Sequence, residues 1–198
     1  MIRTIFGSIL GAVIATAWMY VSWSFLPWHD YGVKEFKNAS FVSWALTQNC
    51  EIDGVYMIPQ LEGNRDTESP KQLREAKKAR IEAMKTGPLV HAHVHLKGAD
   101  PASMRHFTYS FLTYFVIAII LGSLMLMIDV EAGFAKRLFF SALFGLGAGI
   151  VGAIPNWNWF APNMSYSFIM IIDAMLTWLL AGLVMAAVIK PSQEVDRF

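Results

Sequence analysis

The sequence predicts a mainly α-helical protein with four transmembrane helices and a small α/β extracytoplasmic domain between helices 1 and 2. Three observations predict it. Hydrophobic residues make up 55% of the 198-residue chain and charged ones only 16%, a balance beyond the usual soluble range. The charge is also segregated: residues 107 to 189 hold only Asp129, Glu131, Lys136, Arg137 and Asp173, whereas residues 29 to 106 hold most of the rest. Four apolar segments, finally, approach the roughly 20 residues that a helix needs to cross a bilayer core of about 30 Å.

Those segments are Ile5 to Pro27, Tyr109 to Ile128, Leu138 to Ile154 and Tyr166 to Ile189. The first follows Arg3 and contains "ATA" at Ala15 to Ala17, which has the look of a cleavable leader. Its apolar run continues to Trp28, so it is expected to remain as an anchor. Pro155 is expected to close the third, because proline lacks a backbone donor and clashes with the preceding turn.

Orientation follows from the basic residues in short flanks. Four crossings put Arg3, Lys136, Arg137, Lys190 and Arg197 on one side, and the opposite short loop, "PNWNWFAPNMSY", is uncharged. Both termini are therefore expected in the cytoplasm. The divisions are residues 1–28 (first span), 29–106 (extracytoplasmic domain), 107–190 (three spans) and 191–198 (cytoplasmic tail). Trp23, Trp28, Trp157 and Trp159 fall at the outer boundary, where an indole keeps its ring in lipid and its N–H in water.

Within residues 29–106, Ser40 is expected to cap a helix carrying Phe41, Val42, Trp44, Ala45 and Leu46. "GVYMI" reads as a strand stopped by Pro59. After the polar "QLEGNRDTESP", a charged helix runs from Pro70 to about Lys85 and ends at Gly87-Pro88. "LVHAHVHL" is the second strand, and a right-handed helical crossover would pair it parallel with the first.

That second strand puts His91, His93 and His95 on one face and Val90, Ala92, Val94 and Leu96 on the other. Neighbouring imidazoles can share a transition metal such as zinc or copper, whose bonds to nitrogen are about 2.0–2.1 Å for zinc. The first and third lie roughly 13 Å apart at the backbone, too far to join them. A third ligand would have to come from His29, His106, Glu51, Asp53 or Cys50, none of which the sequence fixes nearby. The same alternation also describes the wet face of a small sheet, in which case no cofactor is held.

Asp173 is the one acid well inside a span. Seven residues below the outer edge, it costs a few kcal/mol unless protonated, paired or hydrated, so it should face the bundle, with Tyr20, Ser22, Thr113 and Tyr114 as donors at similar depth. A proton relay needs further groups of this kind, and a structural hydrogen bond or subunit contact is the simpler role. Gly7 and Gly11 on the first span, and Gly145, Gly149 and Gly152 on the third, are expected to let helices approach closely. "GLGAG" is no phosphate loop, since it has neither a preceding strand nor a following Lys-Ser/Thr pair.

The ending of the first span, "WSFLPWH", is followed by the "GVYMIP" strand, a Gly98-Ala99-Asp100-Pro101 turn and three more spans. In this ordering the chain resembles a loosely defined group of small bacterial inner-membrane proteins whose anchor ends in Leu-Pro-Trp-His. The resemblance implies no activity and carries over no functional residues.

A net charge of +1 and the absence of a charged tail exclude a nucleic-acid partner, and a single cysteine excludes an internal disulfide. No paired catalytic acids, Ser/His/Asp grouping or phosphate loop stands out. The expected function is that of a non-catalytic accessory subunit in the lipid bilayer, docking onto a larger membrane-protein complex. The alternative is a metal-handling or transport-related protein using His91, His93 and His95 outside and Asp173 inside.

Overall fold

A computed structural model describes residues 2–60, 69–128, 131–160 and 163–190. Arg197, the expected tail, Asp129 and most of the polar loop before the charged helix lie outside them. The chain divides into two compact units, one of residues 1–34 and 100–198, the other Glu35–Ala99.

The first unit contains four long helices, α1 (Ile2–Ser24), α5 (Met104–Leu126), α6 (Phe134–Phe160) and α7 (Met164–Val188), and the one-turn α2 (Trp28–Gly32). Each long helix has the length and apolarity to cross a bilayer, so the chain is an integral membrane protein. In lipid, the backbone hydrogen bonds must be closed within each segment, and helices do so. Helix α7 is the hub, packing against α6, α1 and α2, while α5 docks on α1 and barely meets α6. Ala15, Ala118, Leu121, Met125, Ala181 and Met185 form the centre of the core. Alanines let the helices approach closely, and Trp178 and Ile189 fill the space beside them.

Pro155 does not close its helix: α6 continues to Phe160. Proline removes one backbone donor and so frees the Val151 carbonyl, which a helix in a membrane tolerates; the neighbouring Gly152 carbonyl takes a side-chain donor, Asn156 Nδ2, at 2.9 Å. The extra length carries Trp157 and Trp159 on the last turns, both exposed.

The second unit contains α3 (Ala39–Asn49), β1 (Gly54–Ile58), α4 (Pro70–Thr86) and β2 (Val90–Val94). The α3 cap is Asn38, not Ser40: its Oδ1 accepts from the Phe41 N–H at 2.9 Å, and asparagine is at least as good a cap as serine. Ser69 and Gln72 close a capping box at the start of α4, and Gly87, with φ 71°, ends it.

The strands pair antiparallel, with Gly54 opposite Val94 and Ile58 opposite Val90, which corrects the expected parallel crossover. Parallel pairs occur in sheets covered on both faces. Here Cys50 is the only buried residue among those described in the unit, and the antiparallel ladder is the stronger arrangement for an uncovered pair. Asp53 Oδ1 accepts the Leu96 N–H at 2.8 Å and fastens its open end.

Candidate functional site

The most elaborate polar cluster surrounds Asp173, 8% exposed in α7. Its Oδ1 accepts from Trp18 Nε1 and from Ser22 Oγ, each at 2.8 Å. Trp18 and Ser22 are four apart on α1 and so share a helix face. Ser22 Oγ accepts in turn from Trp28 Nε1 at 3.1 Å and lies 3.0 Å from His29 Nε2. His29 Nε2 is also 3.8 Å from Asp173 Oδ2.

Hydrogen counting fixes the proton on His29. A serine hydroxyl has one proton and two lone pairs. Ser22 gives its proton to Asp173 Oδ1 and one lone pair to Trp28. The remaining lone pair accepts, so His29 Nε2 carries hydrogen. The Trp23 ring stacks on the imidazole at 3.8 Å between centroids and 12° between planes, and Trp28 stands edge-on to it and to Trp18.

Local chain geometry brings His29 here. The chain turns at Pro27 into α2, which folds back on the start of α7: Asn163 Nδ2 donates to the Gly32 carbonyl at 2.8 Å. A Cβ on Gly32 would stand 3.0 Å from Tyr166 Cα, so only glycine lets the two backbones lie so close. His29 is thereby buried, at 6% exposure, in the helical unit and not in the Glu35–Ala99 unit. Likewise Trp28 is half-buried and hydrogen-bonded, whereas Trp23 keeps half its surface exposed.

Of the four donors expected for Asp173, Ser22 is the one that bonds to it. Thr113 bonds to the Tyr109 carbonyl of its own helix, Tyr20 packs against Phe25 and Phe107, and Tyr114 packs against Trp178. Trp18 and His29 were not foreseen. The structure thus assembles a Ser/His/Asp group, but in the wrong order for nucleophilic catalysis. In a hydrolase triad histidine stands between serine and the acid and takes the serine proton. Here serine stands between histidine and the acid and gives its proton to the acid.

The packing glycines divide. A Cβ would come within 2.7 Å of Ile189 at Gly7, 2.6 Å of Met185 at Gly11, 2.7 Å of the Ala174 carbonyl at Gly145 and 2.8 Å of Ile171 Cα at Gly149. Gly152 is a correction: nothing stands within 4 Å of its Cβ position, because it borders a cavity of about 250 Å³ between α6 and α7 that Asn156, Tyr166 and Ser167 help line. Gly182, not foreseen, is another packing glycine: a Cβ there would come within 2.5 Å of Ser141 Cβ.

A second buried polar group was also not foreseen. Arg137 is enclosed at the other end of the bundle, where Nε and Nη2 donate to the Ala186 carbonyl at 3.2 and 3.0 Å and Nη1 donates to the Ala132 carbonyl. It thus serves an acceptor in the last turn of α7, where the helix dipole also favours a cation.

The histidine strand alternates as expected, with His91, His93 and His95 exposed and Val90, Ala92 and Val94 half-buried. The His91 and His93 rings meet edge to face at 5.4 Å, and His95 Nδ1 lies 3.5 Å from Asp53 Oδ2. Among the described residues, no three His, Cys, Asp or Glu side chains group closely enough to hold a metal. No family model, curated protein or solved structure matches the chain.

Proposed function

We propose that this protein is a non-catalytic accessory subunit of a larger complex in the bacterial inner membrane. The observation that carries the reading is the composition of the Glu35–Ala99 unit. It buries one described residue, Cys50, while Phe41 and Trp44 are 61% and 57% exposed and Ile52 is 72% exposed. Monomeric proteins rarely leave such apolar surface open, and exposed tryptophan is a favoured anchor for a protein partner. Phe41 and Trp44 lie together on α3, ring centroids 5.8 Å apart, and offer a two-residue hot spot. The Asp173 cluster fits a scaffold role, because its serine and histidine are engaged in holding α1 and α2 to α7.

In this reading both termini lie in the cytoplasm, the Glu35–Ala99 unit lies outside, and Arg3, Lys136 and Lys190 flank the inner face. Purification of the tagged chain in mild detergent tests the proposal. A larger membrane partner should be retained in stoichiometric amount, and Phe41→Asp with Trp44→Asp should lower its recovery by about tenfold or more. A chain that elutes alone, or a double variant that keeps its partner, refutes it.

A further inference from the structure

The charged helix α4 presents a surface different from that of α3. Its half-buried positions are Leu73, Ala76, Arg80 and Ala83, spaced three, four and three apart as one helix face requires. Arg80 Nη2 reaches Met57 Sδ of β1 at 3.1 Å, so this face is turned toward the first strand. On the other side Lys71, Arg74, Lys78 and Lys85 recur three, four and seven apart, all exposed. The helix holds six basic and two acidic residues, and Glu82 is engaged by Lys85 at 2.7 Å. Ile81 stands beside these cations with 44% of its surface open, while Met84 lies at the edge of the half-buried face.

Basic side chains interleaved with apolar ones mark a helix that lies along a lipid surface, where cations meet phosphates and apolar side chains enter the headgroup boundary. Lysine suits that place, since its methylene stem covers apolar surface while its ammonium stays wet. The tether is short as well: α1 ends at Ser24 and α5 starts at Met104, close in sequence to the limits of the unit at Glu35 and Ala99. Such tethers hold a bilayer at high effective concentration. An acidic protein would satisfy the cations but leave Ile81 unexplained.

We propose that the outer face of α4 binds anionic phospholipid headgroups of the bilayer that holds the chain. The test uses the full chain with Cys50→Ala and Ile81→Cys, the new thiol carrying a polarity-sensitive fluorophore. The protein is placed without any partner in nanodiscs of phosphatidylcholine, with or without phosphatidylglycerol. Quenching by an aqueous quencher should fall about threefold when the anionic lipid is present, and should recover when ionic strength is raised about tenfold. Lys71→Gln, Arg74→Gln and Lys78→Gln together should remove the difference, while Lys71→Arg with Lys78→Arg should keep it. Equal quenching in both discs at low salt overturns the proposal, as does a glutamine variant that stays protected. Protection that appears only on adding an acidic partner protein also overturns it and assigns the face to that protein. Because no partner is present in the discs, this result is independent of whether the accessory-subunit reading holds.

Discussion

Asp173 shows how a costly residue becomes a useful one. An unpartnered acid in a span costs at least a few kcal/mol, but two donors on one oxygen turn it into a link between helices 151 and 155 residues apart in sequence. Asp173→Ala should lower unfolding stability in detergent by about 2–4 kcal/mol, and Trp18→Phe by about 1 kcal/mol, both measurable by denaturant titration. Asp173→Asn keeps an acceptor oxygen, so its loss should fall between the two. At the opposite end, Arg137→Met strips donors from the Ala186 and Ala132 carbonyls and should cost about 2–3 kcal/mol. Arg137→Lys should recover only part, because an ammonium lacks the planar fork that serves both carbonyls. That Asp173 faces the bundle was legible in the sequence, since lipid forbids most alternatives, but Ser22 was only one of four donors at its depth. Trp18 was legible in principle from its four-residue spacing to Ser22. His29 was not, because its burial depends on the fold-back of α2, which a five-residue segment does not announce.

Between elements, the contact of α6 with α7 turns on where glycine is required. At Gly149 a methyl group would press on the backbone of Ile171, and at Gly145 on the Ala174 carbonyl; neither can rotate away. Gly149→Ala should therefore cost about 1–3 kcal/mol as an overpacking change, whereas Gly152→Ala, facing open space, should be neutral or slightly stabilising through helix propensity. Parallel unfolding titrations of the two variants check this. Periodicity placed the glycines on a common face but could not tell which of them touches a neighbour, because where a cavity opens between two helices is a property of the pair. The sheet direction escaped for a related reason: a helix between two strands suits either pairing, and the absence of cover decides it.

For the whole molecule, the apolar spans were the strongest signal, since lipid imposes length and composition on every crossing. The accessory role predicts a sidedness that can be measured. In sealed right-side-out vesicles, protease should cleave the lysine-rich α4 region and leave both tails intact, and inverted vesicles should give the reverse; cleavage of either tail from outside would contradict the proposed orientation.

The position of α7 as hub has a consequence for biosynthesis. Ribosomes deliver α1, α5 and α6 first, and of these only α1 and α5 have an extensive surface in common. Until Met164–Val188 emerges, the hydroxyl of Ser22 and the indole of Trp18 wait in the bilayer without their acceptor, and α6 has almost nothing to hold. Assembly of the bundle is thus deferred to the last helix made, and a nascent chain arrested before it should be a ready substrate for membrane proteases.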